Sequence, residues 1–511
     1  MRILKKILTF IFGRLFLVAL MLVIQIILLA ICTVYFIQIV FYGYLILILI
    51  STVAAIGVIN NNENPSYKLI WIVVILAVPL TGGVFYLMLG NKRVSKKMRG
   101  QIGATLEDTR RSMPSNKLSG RLLKEGEKDL AGQSQYIYNT SGYPVQGDTR
   151  GEYYPVGEDM YESMLAELEE AQRFIFLEYF IIEDGVMWSS IFDILKRKVA
   201  QGVEVRLMYD DLGTINTLPQ GYDRVIRKAG IKLCVFNPFR PRVNILMNHR
   251  DHRKICIIDG CTAFCGGINL ADEYINRRYR FGHWKDTGVM IKGEGVWSFT
   301  FMFLQLWHFS TNENICYEEY RGLNRPQEGD GLVQVFGDTP LDDINVTENA
   351  YLNIISRANH YVYITTPYLI IDYEMEMALC TAAQSGVDVR IVTPHIYDKW
   401  YVHMLTRSHY KRLVEAGVKI YEYTPGFMHG KMFVSDDKVC MVGTCNMDFR
   451  SFYLHFECSV AFYRSSVLEE VKADMLETQD LSQRVTLEDT LKVPFLQRML
   501  RAVLKIFAPL M

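Results

Sequence analysis

His252-Arg253-Lys254, Asp259 and Gly266-Gly267-Ile268-Asn269 form one stretch of this chain, and His429-Gly430-Lys431, Asp436 and Gly443-Thr444-Cys445-Asn446 form another. Both follow the pattern H-x-K-x4-D-x6-G-[GT]-x-N, with identical internal spacing. A lone H-x-K is a weak signal, more often a surface pair. Two complete copies at equal spacing mark a duplication.

The surroundings of the two stretches repeat as well. Met160, Met164, Leu165 and Leu168 recur at helical spacing, and the apolar run from Phe174 to Ile182, broken only by Glu178, suits a strand buried on both faces. A helix is predicted over 187–200, ended by Gly202. Strands follow at Val203–Tyr209 and Ile231–Phe236. In the second half Tyr361–Ile364 reads as a strand. Ser385-Gly386-Val387-Asp388-Val389-Arg390 matches Gln201-Gly202-Val203-Glu204-Val205-Arg206, and Ala416-Gly417-Val418-Lys419-Ile420 matches Ala229-Gly230-Ile231-Lys232-Leu233. The alternation predicts two α/β domains, about 151–325 and 332–485, related by a pseudo-twofold axis.

On a strand, His252 and Lys254 would point to one face, as would His429 and Lys431. If the two strands meet at the axis, two imidazoles, two ammonium groups, Asn269 and Asn446 form a cage for a phosphate. Lys254, Lys431 and the asparagines would stabilise the charge of a pentacovalent transition state, while one histidine attacks phosphorus and the other protonates the leaving alcohol. Asp259 and Asp436 complete the catalytic motif. Gly260 and Asp437 follow them as turn signals, so these aspartates read as holders of a turn. Asp286 and Glu457 occupy corresponding places in strand-like runs and are the candidates to orient the histidines. His249 and His283 are candidates to line the pocket; His308, His360, His395, His403, His409 and His455 read as ordinary polar or core residues. No acidic cluster has metal-ligand spacing and the ten cysteines are scattered without a C-x-x-C pair, so neither metal nor cofactor is expected.

The 511 residues carry 55 basic and 55 acidic side chains, a balance that disfavours a nucleic-acid partner. Leu15–Ile59 is a run of 45 residues without a charge, too long for one crossing. Two transmembrane helices near 15–35 and 38–59 are predicted, and a third apolar run covers 69–90. Residues 1–95 thus read as a multi-pass membrane anchor of two to three transmembrane helices, and 96–150 as a connector that becomes ordered toward its end. Arg2, Lys5, Lys6 and Arg14 precede the spans and Lys92, Arg93, Lys96, Lys97 and Arg99 follow them; the denser second cluster favours a cytoplasmic catalytic part at the cell membrane. At the other end, 486–511 reads as an amphipathic C-terminal segment with an interfacial helix.

The paired stretches resemble the HKD motifs of the phospholipase D superfamily, and within it the chain resembles the bacterial cardiolipin synthases nearly end to end. Leu177-Glu178-Tyr179-Phe180, Gly282-His283-Trp284-Lys285-Asp286, Thr424-Pro425-Gly426-Phe427-Met428-His429 and Asn446-Met447-Asp448-Phe449-Arg450-Ser451 carry the resemblance beyond the motifs. It implies phosphatidyl transfer between two phosphatidylglycerol molecules in the membrane. Cardiolipin and glycerol would form through a phosphatidyl-histidine, with His252 the nucleophile and His429 the general acid. Gly267 stands where the superfamily often carries Ser or Thr, a hydroxyl kept at Thr444; its loss implies one phosphate hydrogen bond fewer. A phospholipase D-type hydrolase would have the same site. A nuclease is opposed by the zero net charge, and a non-catalytic membrane scaffold by the intact motifs.

Overall fold

The computed structural model describes residues 14–35, 37–61, 64–78, 82–86, 111–124, 126–238, 249–322, 327–342 and 344–510. They fall into two compact units, one within 1–95 together with Leu510, and a catalytic one within 96–238 and 249–509. The N-terminal unit holds α1 (Arg14–Tyr35), α2 (Ile37–Ile59) and α3 (Pro65–Ala77). Asn64 starts α3, its side chain accepting the Ser66 N–H at 2.9 Å, with Pro65 in the first turn. Among the described residues one stretch, Tyr42–Ile59, is long and apolar enough to cross a membrane. In the third apolar run one helix covers Pro65–Ala77, 13 residues with about 20 Å of rise, and a short helical turn covers Gly82–Phe85. The basic clusters Arg2–Lys6 and Lys92–Arg99 lie outside the described residues.

In the catalytic unit the first half contributes β1 (Thr149–Tyr154), β2 (Phe174–Tyr179), β3 (Glu204–Asp210), β4 (Lys232–Phe236), β6 (Ile255–Ile258), β7 (Thr262–Gly266) and β9 (Gly288–Gly293) to one sheet, while β5 (Arg250–Asp251) and β8 (His283–Lys285) stand outside it. Its order is β1-β9-β7-β6-β2-β3-β4. The second half contributes β10 (Leu332–Asp338), β11 (Tyr361–Thr365), β13 (Asp388–Pro394), β14 (Lys419–Tyr423), β16 (Met432–Ser435), β17 (Val439–Gly443), β19 (His455–Tyr463) and β20 (Ser482–Arg484), in the order β10-β19-β17-β16-β11-β13-β14-β20. Strand by strand the second order repeats the first, with β20 added at its edge. In each, three parallel strands adjoin antiparallel ones. The short strands β12 (Leu369–Ile370) and β18 (Met447–Asp448) pair with each other, and β15 (Gly426–Met428) lies apart from the main sheet.

Helices cover both faces of the first sheet, which is why β2 reads as an almost unbroken apolar run: all six of its residues are buried. Ile175, Leu177 and Tyr179 share a core with Met160 and Met164 of α4 (Gly157–Glu169) and Ile191 and Leu195 of α5 (Val186–Ala200). Phe174 and Phe176 face the other way. The Phe176 ring stacks at 4.7 Å on Phe303 of α6 (Val296–Thr311). That second core is continuous with the core of the second sheet. The connector expected over 96–150 also contains a built-in element. A helix over Lys128–Ser141 buries Leu130 and Ile137 in this core, and Gln334 of β10 donates to its Ser134 carbonyl at 3.1 Å.

Candidate active site

Neither H-x-K stretch lies within a strand. His252–Lys254 fills the gap between β5 and β6, and His429–Lys431 the gap between β15 and β16. Each gap is stitched to the opposite half. β5 pairs in parallel with the start of β19, and the His252 N–H donates to the Phe456 carbonyl at 3.0 Å. β15 pairs in parallel with β8, and the His429 N–H donates to the Lys285 carbonyl at 2.7 Å.

The next residue in each partner strand is the orienting acid. His252 Nδ1 lies 2.9 Å from Glu457 Oε1, and His429 Nδ1 lies 2.5 Å from Asp286 Oδ2. Sequence reasoning selected both acids; the exchange between halves is what the structure adds. A carboxylate only accepts, so each Nδ1 carries the proton and each Nε2 presents its lone pair. Neither Nε2 takes a hydrogen bond from the described residues.

Lys254 and Lys431 are both 1% exposed. Lys254 Nζ donates to the His252 carbonyl at 2.6 Å, and Lys431 Nζ donates to the His429 carbonyl and lies 2.9 Å from His429 Nδ1. Burial brings the Lys254 ammonium down to about 8 and that of Lys431 to about 7. Burial, then the Lys254 and Lys431 charges, hold His252 well below its usual range. Burial and then Lys431 take His429 to about 4 against the pull of Asp286. Both imidazoles are therefore neutral at pH 7 in the free protein, the form that attacks phosphorus or removes a proton.

The remaining motif residues divide. Asp259 and Asp436, counted with the catalytic motif from sequence, sit in tight turns at φ 55° and 54°, away from the histidines. Asp259 accepts the N–H groups of Gln172, Arg173 and Phe174 at 2.7–2.9 Å. Asp436 accepts those of Asn359, His360 and Tyr361 at 2.7–2.9 Å. Each thereby ties its motif to the start of the neighbouring antiparallel strand, β2 or β11, a structural task. Asn269 is also engaged: it accepts the Ile181 N–H at 3.0 Å and donates to Tyr274 Oη at 2.8 Å. Asn446 is different, its buried Oδ1 having no partner among the described residues.

Three features were not read from the sequence. The Thr444 hydroxyl, expected to meet a phosphate, donates to Glu457 Oε2. Gly267 makes room instead: a Cβ there would lie 2.0 Å from Asp286 Oδ1. His455, read as an ordinary core residue, lies beside His252 with ring centroids 5.2 Å apart and Nδ1 3.7 Å from Glu457 Oε1; both its nitrogens are buried without a hydrogen-bond partner among the described residues. The alternation of β19, which puts residues 455 and 457 on one face, was the available signal. His252, His455 and Glu457 bring donor atoms within 4.8 Å of one another, a set that could hold a metal ion where none was expected. The adjacent Lys254 and Lys431 charges work against a further cation. Of the other pocket candidates, His283 is engaged at 3.0 Å with Tyr423 Oη and His249 is buried.

Comparison with known proteins agrees with this architecture. The family model described as "Cardiolipin synthase, PLD-like domain" matches residues 164–293 and again 351–478, and one described as "Phospholipase_D-nuclease N-terminal" matches 49–91. An uncharacterized protein of Streptococcus mutans is 43% identical over 454 residues, 89% of this chain and 98% of that one. Cardiolipin synthase of Alkalihalophilus pseudofirmus is 34% identical over 92% of this chain and 94% of its own length, and that of Geobacillus kaustophilus 33% identical over 88% and 90%. Among solved structures, phosphatidylserine synthase of Haemophilus influenzae shares the fold with a TM-score of 0.55 at 13% identity, covering 74% of this chain and 98% of that one.

Proposed function

Because this chain belongs to the cardiolipin synthase family with paired phospholipase D-like domains, and is a phosphatidyltransferase of that family, we propose that its two motif histidines move a phosphatidyl group between two phosphatidylglycerol molecules. The observation that carries the reading is the reciprocal bracing of His252 by Glu457 and of His429 by Asp286, which leaves two Nε2 atoms for one phosphorus.

In the first step His252 Nε2 attacks the phosphorus of one phosphatidylglycerol. The phosphorus–oxygen bond to the headgroup glycerol breaks, and His429, protonated in the presence of the substrate's negative charge, gives its Nε2 proton to the leaving oxygen. Lys254, Lys431 and Asn446 hold the equatorial oxygens. In the second step the neutral His429 takes the proton of a headgroup hydroxyl on a second phosphatidylglycerol. That oxygen attacks the phosphatidyl-histidine, and cardiolipin leaves with His252 restored. The proton count closes over the two steps, and one glycerol is released per cardiolipin. The N-terminal unit serves as a multi-pass anchor in the cell membrane, with the catalytic unit on the cytoplasmic face.

Mass-spectrometric lipid analysis tests this. Purified full-length protein in mixed micelles with phosphatidylglycerol and a chelator should produce cardiolipin and free glycerol together, and neither product in His252→Ala or His429→Ala. Phosphatidic acid in place of cardiolipin would establish a hydrolase instead.

A further inference from the structure

The C-terminal helix α7 (Phe495–Phe507) is mounted with its apolar face outward. Phe495 and Leu496 are 74% and 80% exposed, and Met499, Leu500, Val503, Ile506 and Phe507 lie between 39% and 53%. On its inner side Arg501 is only partly exposed, and its Nε is buried without a partner among the described residues. Lys505 comes under the field of Glu376, a residue of the helix Tyr373–Gln384. Leu504 and Ala508 anchor the helix on Val402 and Leu405 of the underlying helix Trp400–Glu415 and on Ile370 of β12. A helix stabilised only by the protein would turn this face inward. Seven large apolar side chains on one exposed face therefore call for an occupant.

We propose that this face inserts into the interfacial region of an anionic phospholipid bilayer and seats the catalytic unit on the membrane. The proposal rests on the reading that the substrates are bilayer phospholipids. Three observations favour lipid over a protein partner. Residues 492–511 carry four basic side chains and no acidic one, matching an anionic headgroup layer. Lys492 and Arg498 are exposed among the apolar residues, where headgroup phosphates would meet them. The apolar surface also extends to Leu487 and Leu491 of the preceding helix, 41% and 53% exposed. Position matters as well. The helix Trp400–Glu415 that carries α7 also packs on β12, and β12 pairs with β18 immediately after Asn446. The seat of α7 is thus two contacts from the proposed phosphate site, and insertion fixes the height of that site above the headgroups.

Photochemical capture tests this without reading activity. The full chain carrying His252→Ala would be reconstituted into phosphatidylcholine vesicles containing phosphatidylglycerol. p-Benzoylphenylalanine would replace Leu496, Val503 or, as a control, Leu123, which is 55% exposed on the helix Ser119–Lys124. Irradiation should give phospholipid-mass adducts at 496 and 503 and none at 123. Absence of lipid adducts at 496 and 503, or crosslinks joining two copies of the chain there, would overturn the proposal. Loss of phosphatidyl transfer in the unlabelled enzyme would instead bear on the proposed reaction alone.

Discussion

The two halves build their catalytic histidines by the same plan and finish them differently. His252 meets a glutamate whose second oxygen is held by the Thr444 hydroxyl, with His455 and Phe180 alongside, the Phe180 ring at 5.2 Å. His429 meets a shorter aspartate, closer, in a space cleared by Gly267, with Tyr274, Trp284 and Phe427 rings within 5.7 Å. The longer acid takes a supporting hydroxyl; the shorter one takes the volume a side chain would fill. The backbone duplication is therefore conserved in geometry and divided in chemistry, as expected where one imidazole must attack and the other must move protons.

The largest effects should come from the acids. Asp286→Asn and Glu457→Gln should each lower the initial rate of cardiolipin formation by about 10²- to 10⁴-fold, because the amide allows the wrong tautomer. A loss in only one variant would break the symmetry of the bracing. Next come the supports. Gly267→Ala should cost about 10²-fold by displacing Asp286, whereas Thr444→Ala should cost about tenfold and Thr444→Ser very little. Equal losses at 267 and 444 would mean that the two positions do the same thing.

The pH profile sharpens the comparison further. The Lys431 and Lys254 ammonium groups, brought to about 7 and about 8, lose charge as pH rises through those values. The rate constant kcat/KM of the free enzyme should therefore fall on the alkaline side from near neutrality, not from the usual lysine range. Lys431→Arg keeps its charge; it should be slower but lose the lower alkaline limb, and an unchanged limb would reassign it. The smallest effect on rate belongs to Asp259→Ala and Asp436→Ala. Each should lower Tm by a few degrees, with about 2–4 °C per kcal/mol, while activity at 25 °C changes less than about twofold.

Much of this was legible because it is periodic or repeated. Strand alternation, the glycines at 202, 230, 386 and 417, and the equal spacing of the motifs are properties of a linear string. So was the correspondence of Asp286 with Glu457. What escaped was the pairing of distant segments. Nothing local in His252-Arg253-Lys254 shows that its strand partner begins at His455, and a histidine two residues before Glu457 looks like any core histidine until β19 is placed. The role of Thr444 escaped for the same reason: its hydroxyl could face phosphate or carboxylate, and only the position of Glu457 decides. The end of α3 at Ala77 escaped as well, since composition alone does not reveal where a helix stops.

The exchange of strands has a consequence during synthesis. His252 waits for an acid 205 residues downstream, and its backbone amide waits for Phe456. A ribosome that has released only the first half has made the proposed nucleophile without its tautomer lock, the second ammonium group or the proposed proton carrier. On the proposed mechanism, phosphatidyl transfer is thus withheld until nearly the whole catalytic unit is out and folded, so an aborted or truncated chain is inert toward phospholipid.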